Sequence, residues 1–250
     1  MKRRIFKILL TYGITMEEML GRMQNDPVFL EEVILRLTVT TTELFRDPPE
    51  WKRLGELVLM ELKQKDSITV WHPGCSTGQE VYTLMILLEE AGLLDRADIY
   101  ASDINSRALD VAREGRYPYL QNVPNLNHFE RLLDPSGTGS ETVRPFPWKD
   151  YFSVNRNRDS LKMKKHLRDK PVYKKMDLVQ DPNLFFVNFD LIICRNVILY
   201  FNDTLQKKVF DLFYRNMNHG ACLMLGRREL MPDSFSGRLI EKDRFYFKTS

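Results

Sequence analysis

The stretch Ile68-Thr-Val-Trp-His-Pro-Gly-Cys-Ser-Thr-Gly-Gln-Glu80 decides the fold. Its apolar start, residues 68–71, predicts a short buried strand, and residues 79–90 predict the helix that follows. Gly74 and Gly78 let the backbone turn tightly between them and let a ligand approach closely. The stretch has neither the lysine of a phosphate-binding P-loop nor the glycine spacing of a dinucleotide-binding turn. A tight turn in any α/β protein is therefore an equal alternative at this point.

The alternation of strand and helix continues toward the carboxyl end. Strands are predicted at residues 97–101, 189–194, 221–225 and 244–248, and helices at 50–63, 106–114 and 203–217. Strands that alternate with helices predict a parallel sheet covered on both faces. The last strand has no helix after it and must pair antiparallel. We therefore predict an α/β fold with a doubly wound, mostly parallel sheet and an antiparallel last strand.

Two regions depart from this alternation. Residues 1–37 carry apolar side chains at helical spacing and predict three short helices, the second opened by a capping box of Thr15 and Glu18. We predict a small N-terminal helical unit, residues 1–45, followed by a main domain, residues 46–250. Within it, residues 117–170 are rich in proline and interrupt the alternation, with a loop predicted at 134–141.

Composition limits the class of protein. The chain has 250 residues, 43% hydrophobic and 28% charged, with a formal net charge of +3, which favours neither nucleic-acid nor protein partners. Cys75, Cys194 and Cys222 are widely spaced beside apolar runs, which excludes a disulfide framework and a zinc module, and we expect no metal. Since no uncharged apolar run approaches about 18 residues and no cleavage site follows the basic start, we expect a cytoplasmic protein without stable membrane insertion.

The second predicted strand ends near Asp103, 25 residues after Gly78. A carboxylate at this place accepts hydrogen bonds from ribose hydroxyls, and open parallel sheets bind ligands outside the carboxyl ends of their strands. A nucleoside bound without a pyrophosphate suggests S-adenosyl-L-methionine (SAM). A third strand end, at Cys194-Arg195-Asn196, faces the same edge.

Four motifs, in order, resemble those of one family. Thr42-Glu-Leu-Phe-Arg46 resembles the T-x-F-F-R motif of the chemotaxis receptor methyltransferases, the CheR family. Gly74-Cys-Ser-Thr-Gly-Gln-Glu-Val-Tyr82 resembles its C-S-T-G-E-E-P-Y loop, and Ala101-Ser-Asp-Ile-Asn105 resembles its A-[TS]-D-I-D motif. Phe189-Asp-Leu-Ile-Ile-Cys-Arg-Asn-Val-Ile-Leu-Tyr-Phe201 resembles F-D-x-I-x-C-R-N-V-x-I-Y-F. The resemblance covers residues from about 35 to 248.

The resemblance implies a SAM-dependent O-methyltransferase that forms glutamate methyl esters on chemoreceptors, with S-adenosyl-L-homocysteine as product. It implies cofactor contacts by Thr40, Thr42, Arg46, Gly74, Glu80, Asp103, Asp177, Leu178, Arg195 and Asn196. By family motif, Thr42 and Arg46 contact the methionyl part, Glu80 its amino group and Asp103 the ribose, while Asp177 and Leu178 lie near the adenine. The implied catalytic residues are Arg46, Arg195 and Tyr200.

The sequence also departs from the family pattern. Leu44 replaces a Phe, Gln79 a Glu and Asp177 the usual Asn, and the family's usual first helix is missing. Gly226-Arg-Arg-Glu229 stands where the family usually has G-H-S-E, which leaves the role of that loop open.

Several conspicuous residues have simpler interpretations. Methyl transfer to a carboxylate needs no general base, so we expect His72 to be structural, and Cys75 and Cys194 to be small buried packing residues. Residues 156–175 hold nine Lys or Arg against two Asp, a net of +7. This basic run is either a solvated face or a surface for an acidic partner.

The resemblance implies that residues 117–170 are an inserted subdomain that contacts the cytoplasmic domains of chemoreceptors. Two alternatives stay open: a non-catalytic SAM-binding adaptor, and a methyltransferase acting on another acidic substrate such as nucleic acid. The absence of an Asn/Asp-Pro-Pro-Tyr motif argues against the nucleic-acid alternative.

Overall fold

A seven-stranded sheet forms the centre of the protein, in a computed structural model that describes residues 2–38, 40, 42–133 and 148–249. The strands of the described chain are β1 (Ile68–Pro73), β2 (Ala97–Asp103), β3 (Arg116–Tyr117), β4 (Phe152–Asn155), β5 (Ser160–Met163), β6 (Val172–Lys175), β7 (Phe189–Cys194), β8 (Met217–Leu225), β9 (Leu239–Lys242) and β10 (Phe245–Lys248). The strand order of the large sheet is β6-β2-β1-β7-β8-β10-β9. Strands β6, β2, β1, β7 and β8 are parallel, and β10 pairs antiparallel with β8 and with β9. The predicted mostly parallel sheet with an antiparallel last strand is confirmed.

Helices cover both faces of this sheet. The helices of the described chain are α1 (Lys2–Tyr12), α2 (Met16–Asn25), α3 (Pro27–Leu37), α4 (Pro48–Leu54), α5 (Met60–Leu62), α6 (Gln79–Glu90), α7 (Ser106–Glu114), α8 (Tyr119–Leu133), α9 (Lys165–Arg168) and α10 (Asp203–Arg215). A π-helical turn, Gly55–Leu59, joins α4 to α5. None of the helices described is both long and apolar enough to cross a membrane.

Alternate residues of the central strands supply two apolar layers, because successive side chains of a strand point to opposite faces. Val70, Leu191 and Ile193 belong to the core cluster that includes α6. Trp71 and Ile192 belong to the other cluster, which includes the apolar residues of α10. Every residue of β7 is buried, as expected for a strand covered on both sides. The doubly wound arrangement is therefore confirmed.

The three N-terminal helices form a small unit with its own apolar cluster of Ile8, Met19, Phe29 and Val33. The predicted capping box opens α2 as expected. Polar contacts join the end of α3 to the start of α7: the Asn105 side-chain amide donates to Thr38 Oγ1 at 2.7 Å, and the Ser106 hydroxyl donates to Glu31 at 2.6 Å. The segment after α3 is thereby held beside the carboxyl end of β2.

A second, three-stranded antiparallel sheet lies between α7 and β6 in the chain. Its order is β3-β5-β4, and it accounts for the interruption predicted at residues 117–170. The helix α8 in this region was not predicted, because it contains Pro124 and the whole stretch is rich in proline. The predicted loop at 134–141 lies outside the described residues.

Candidate functional site

A cavity of about 260 Å³ lies at the carboxyl edge of the sheet, where β1, β2 and β7 end. Every sequence-predicted site residue lines it: Thr40, Thr42, Arg46, Gly74, Glu80, Asp103, Asp177, Leu178, Arg195, Asn196 and Tyr200. The sequence analysis assigned no ligand contact to the other lining residues: Leu37, Thr38, Cys75, Ser76, Ile104, Met176, Val197 and Phe201. The folded chain therefore brings four distant motifs into one place.

The glycine-containing turn after β1 is closely packed against its neighbours. Gly74 has φ +70°, and a Cβ there would overlap the Val197 side chain. Gly78 has φ +86°, and a Cβ there would lie 2.8 Å from Ala112 Cβ. Both positions combine the left-handed backbone region with close packing, so a side chain at either is strained and crowded. The turn is thereby fixed in the shape that lines the cavity.

Asp103 joins this turn to the end of β2. Its carboxylate accepts the Ser76 N–H at 2.7 Å through Oδ2 and the Asn105 N–H at 2.8 Å through Oδ1. Burial raises the pKa of Asp103, and the backbone N–H donors oppose that rise. A carboxylate has about four lone-pair sites, so Asp103 keeps capacity for a hydroxyl donor.

Arg195 forms a buried ion-pair network at the opposite wall. Its side chain has no exposed surface, one terminal nitrogen donates to Asp47 Oδ2 at 2.7 Å, and the other donates to Glu80 Oε1. Burial raises the pKa of Glu80, and the Arg195 charge opposes that rise. Arg195 holds the Glu80 carboxylate by one oxygen, and the second oxygen of Glu80 is not used by this pair. Asp47 was not predicted; its φ of +57° and its pairing appear only in the folded chain.

Hydrogen bonds fix the 42–46 segment over the cavity. The Leu44 N–H donates to Asn122 Oδ1 at 2.8 Å, and the Gln79 side-chain amide donates to the Thr42 carbonyl at 3.3 Å. A carboxylate at position 79 could not donate this bond, which gives the Gln-for-Glu departure a structural reason. Leu44, the other departure in this region, is fully buried.

Asp177 uses its side chain within its own turn. Its Oδ1 accepts the Val179 N–H at 2.8 Å, and its own N–H donates to Asp181 at 2.8 Å. The neighbouring Met176 and Leu178 are buried and line the cavity with apolar surface. This part of the wall is suited to a flat apolar group such as a nucleobase.

Glu229 is a residue of this region whose role the sequence left open. Its carboxylate is 3% exposed and accepts backbone N–H bonds from Asn196, Val197 and Gly226, each at 2.7 Å, and from Leu199 at 3.3 Å. It therefore ties the loop after β8 to the loop after β7. The sequence offered one signal for it: the glutamate follows the glycine at the same spacing as in the family's G-H-S-E.

His72 and the cysteines do not form a catalytic group here. His72 is 1% exposed and does not line the cavity, and burial lowers its pKa to about 3. Burial also raises the pKa of the Cys75 and Cys194 thiols well above the usual range. A neutral imidazole and two protonated thiols are what packing residues require.

The lining residues fit SAM by the chemistry of their groups. Glu80 offers a buried carboxylate to an ammonium, Asp103 offers lone pairs to ribose hydroxyls, and Leu178 offers apolar surface to adenine. Of the described lining residues, Ser76 and Arg195 each keep a buried polar atom, Oγ and Nε, without a hydrogen-bond partner.

Comparison with known proteins agrees with this geometry. The family model described as CheR methyltransferase, SAM binding domain, matches residues 40–146 and 140–243. Cher3 of Pseudomonas putida, which is named as a methyltransferase, is 32% identical over 253 residues, covering 99% of this chain and 88% of its own length. A chemotaxis protein methyltransferase of Listeria monocytogenes is 28% identical over 254 residues, covering 100% of this chain and 88% of its own. The family model matches most of the chain, and the chain therefore belongs to the CheR methyltransferase family.

Proposed function

We propose that this methyltransferase acts in the cytoplasm and forms glutamate methyl esters on the cytoplasmic domains of chemoreceptors. The observation that supports this most is the single cavity that brings together the residues of all four motifs. Relatives named chemotaxis protein methyltransferases, which align over nearly the whole chain, support the substrate class. The division into a helical unit at 1–45 and a main domain at 46–250 is part of the proposal.

Each part of SAM would meet a distinct group of the chain. Glu80 would hold the amino group of the methionyl part, with Thr42 and Arg46 beside it; Asp103 would hold the ribose. Leu178 and Met176 would cover the adenine, and the turn at Asp177 would fix that wall. When bound, SAM supplies an electrophilic methyl group on a sulfonium.

The acceptor needs placement more than activation. A glutamate carboxylate is ionised at neutral pH, so the chain need not remove a proton. The carboxylate loses charge as the ester forms, and a tight ion pair with it would favour the ground state over the transition state. Arg195 is already engaged by Glu80 and Asp47, so orientation of the acceptor falls to Arg46 and to Tyr200, whose side chain is half exposed.

Arg46→Ala and Tyr200→Phe should therefore lower turnover by about tenfold or more, and by a larger factor than they weaken SAM binding. Turnover on receptor-bearing membranes and calorimetric SAM titration measure the two quantities separately. Tyr214→Phe, on α10 and outside the cavity lining, is the matched control. Full turnover in either variant would refute the role given to that residue.

The small sheet is the proposed receptor-contacting subdomain at 117–170. Part of the basic run is already engaged elsewhere, because Lys174 donates to the Leu184 carbonyl at 2.6 Å and Lys175 pairs with Glu31. Lys164 and Lys165 are exposed, although Lys165 also pairs with Asp169. The part of the run around β5 and α9 is therefore what remains for an acidic partner.

Reversing the charge of this part, with Lys162→Glu, Lys164→Glu and Lys165→Glu together, should lower the affinity and association rate for receptor membranes. The effect should shrink as salt rises, because exposed charges are screened over about 10 Å at 0.1 M salt. SAM affinity should be unchanged, because none of the three lines the cavity. Lys207→Glu, Lys208→Glu and Arg215→Glu together, all exposed on α10, make the same change in net charge and are the control.

Normal methylation by the triple variant at low and moderate salt would show that the basic run is only a solvated face. Loss of SAM binding would instead place the subdomain in the cofactor pocket and refute the domain division.

Transfer of labelled methyl groups from SAM to chemoreceptor-bearing membranes tests the proposed function. We expect label that mild base releases as methanol, since esters hydrolyse under these conditions while amides and ring N-methyl groups do not. SAM binding without any transferred label would identify a non-catalytic adaptor. Base-stable label would identify a different acceptor group.

A further inference from the structure

The loop after β7 carries several residues of the cavity wall. Asn196, Val197, Tyr200 and Phe201 all line the cavity and lie within six residues of one another. Asn196 has φ +60°, in the left-handed backbone region that residues other than glycine adopt uncommonly. The position of this loop therefore depends on contacts outside the loop.

Glu229 provides those contacts from the loop after β8. Three of the four N–H groups that its carboxylate accepts belong to Asn196, Val197 and Leu199, within the cavity loop. The fourth belongs to Gly226, where an added Cβ would lie 2.7 Å from Glu229 Oε2 and 2.9 Å from the Asn196 nitrogen. The two loops are thus packed closely around one buried carboxylate.

A carboxylate suits this place because it only accepts hydrogen bonds. Glutamine keeps the shape of glutamate but turns one acceptor oxygen into a donor, which would face backbone N–H groups instead of bonding them. Alanine would leave four N–H donors without their acceptor, at a cost for each buried donor left unpaired.

We propose that Glu229 is a positioning residue of the methyl-transfer site: its carboxylate holds the 196–199 backbone so that Asn196 and Tyr200 face the cavity. The inference rests on the proposed function, because it assigns Glu229 to the site where that function takes place. It also gives a reason for the glutamate that ends the Gly226-Arg-Arg-Glu229 stretch while the residues between differ from the family pattern.

The test compares Glu229→Gln and Glu229→Ala with the wild type in turnover and in SAM affinity, well below the melting temperature of each variant. We expect turnover to fall by about tenfold or more and the Kd for SAM to rise by a smaller factor. The reason is that the loop loses the carboxylate that holds it, so that Asn196 and Tyr200 are both displaced. Added formate should restore part of both quantities in Glu229→Ala alone, since a small carboxylate can occupy the vacated cluster of N–H donors.

Asp190 offers a matched control. Asp190 is 4% exposed, and its carboxylate accepts hydrogen bonds from the Thr69 N–H and the Asn218 side-chain amide, both at 2.9 Å. It also forms an ion pair with Lys65 at 3.0 Å. It lies in the first half of β7 and does not line the cavity. Asp190→Asn and Asp190→Ala should lower stability while turnover and SAM affinity stay near wild type, with no response to formate.

Unchanged turnover and SAM affinity in Glu229→Gln, or equal losses in the Asp190 variants, would overturn the positioning role. A wild-type chain that transfers no methyl group refutes the proposed function instead. In that case the Kd of the Glu229 variants for SAM, measured with and without formate, still decides whether Glu229 positions the loop after β7.

Discussion

Arg195→Met should lower the free energy of unfolding by about 3–5 kcal/mol, the range for removing one partner of a buried ion pair. Arg195 is fully buried and pairs with both Asp47 and Glu80, so its loss removes the buried cation from both carboxylates and leaves Asp47 with the more distant Arg227 at 3.9 Å. Denaturant unfolding of the wild type and the variant measures the difference. Combining the change with Asp47→Asn and Glu80→Gln should recover part of the stability, because the uncompensated charges are then gone.

The stability of Arg195→Met should also depend on pH, and the direction of this dependence follows from Glu80. Burial raises the pKa of Glu80 in the folded chain, and the loss of Arg195, which opposes that rise, should raise it further. A raised folded-state pKa means that the folded chain binds the proton more tightly than the unfolded chain, so acidification favours folding. The free energy of unfolding that Arg195→Met loses relative to the wild type should therefore be largest above the folded-state pKa of Glu80. This loss should shrink as the pH falls below that pKa. A stability equal to wild type at neutral pH would refute the network's role.

Asp103→Ala should weaken SAM binding by about 1.5–3 kcal/mol, the range for hydrogen bonds to a charged group. The structure adds a second reason, because the Asp103 carboxylate also holds the Ser76 N–H at 2.7 Å and so braces the glycine-containing turn. Isothermal titration with SAM measures the loss. Asp110→Ala is the control, since Asp110 lies on the neighbouring α7 with a 74% exposed side chain. An unchanged Kd in Asp103→Ala would contradict the assignment of the ribose to the end of β2.

The central alternation could be predicted because burial imposes it on the sequence. The bounds of α6, α7 and β7 agree with the prediction, since each is a continuous apolar or amphipathic segment between clear turn signals. The predicted helix at 203–217 ends at Arg215 instead, because Met217 already begins β8. The short strand β6 was missed: its Val172-Tyr-Lys-Lys175 sequence is half polar and pairs only at the sheet edge with β2.

The site was predictable where local motifs carry it and not where distant loops meet. Asp103 stands at a strand end at a spacing that indicated it, whereas Glu80 and Asn196 were indicated by motifs that resemble those of the family. The partnership of Asp47 with Arg195 joins residues 148 positions apart, and no local pattern reports it. The bonds of Glu229 to the loop after β7 are likewise a property of the folded chain.

Isothermal titration of the full chain with SAM tests the central claim, that the cavity at the carboxyl edge of the sheet is the cofactor site. We predict saturable binding of one SAM per chain, weakened in Asp103→Ala and retained in Asp110→Ala. The absence of saturable binding to the folded wild-type chain, or equal affinity in all three proteins, would contradict the account.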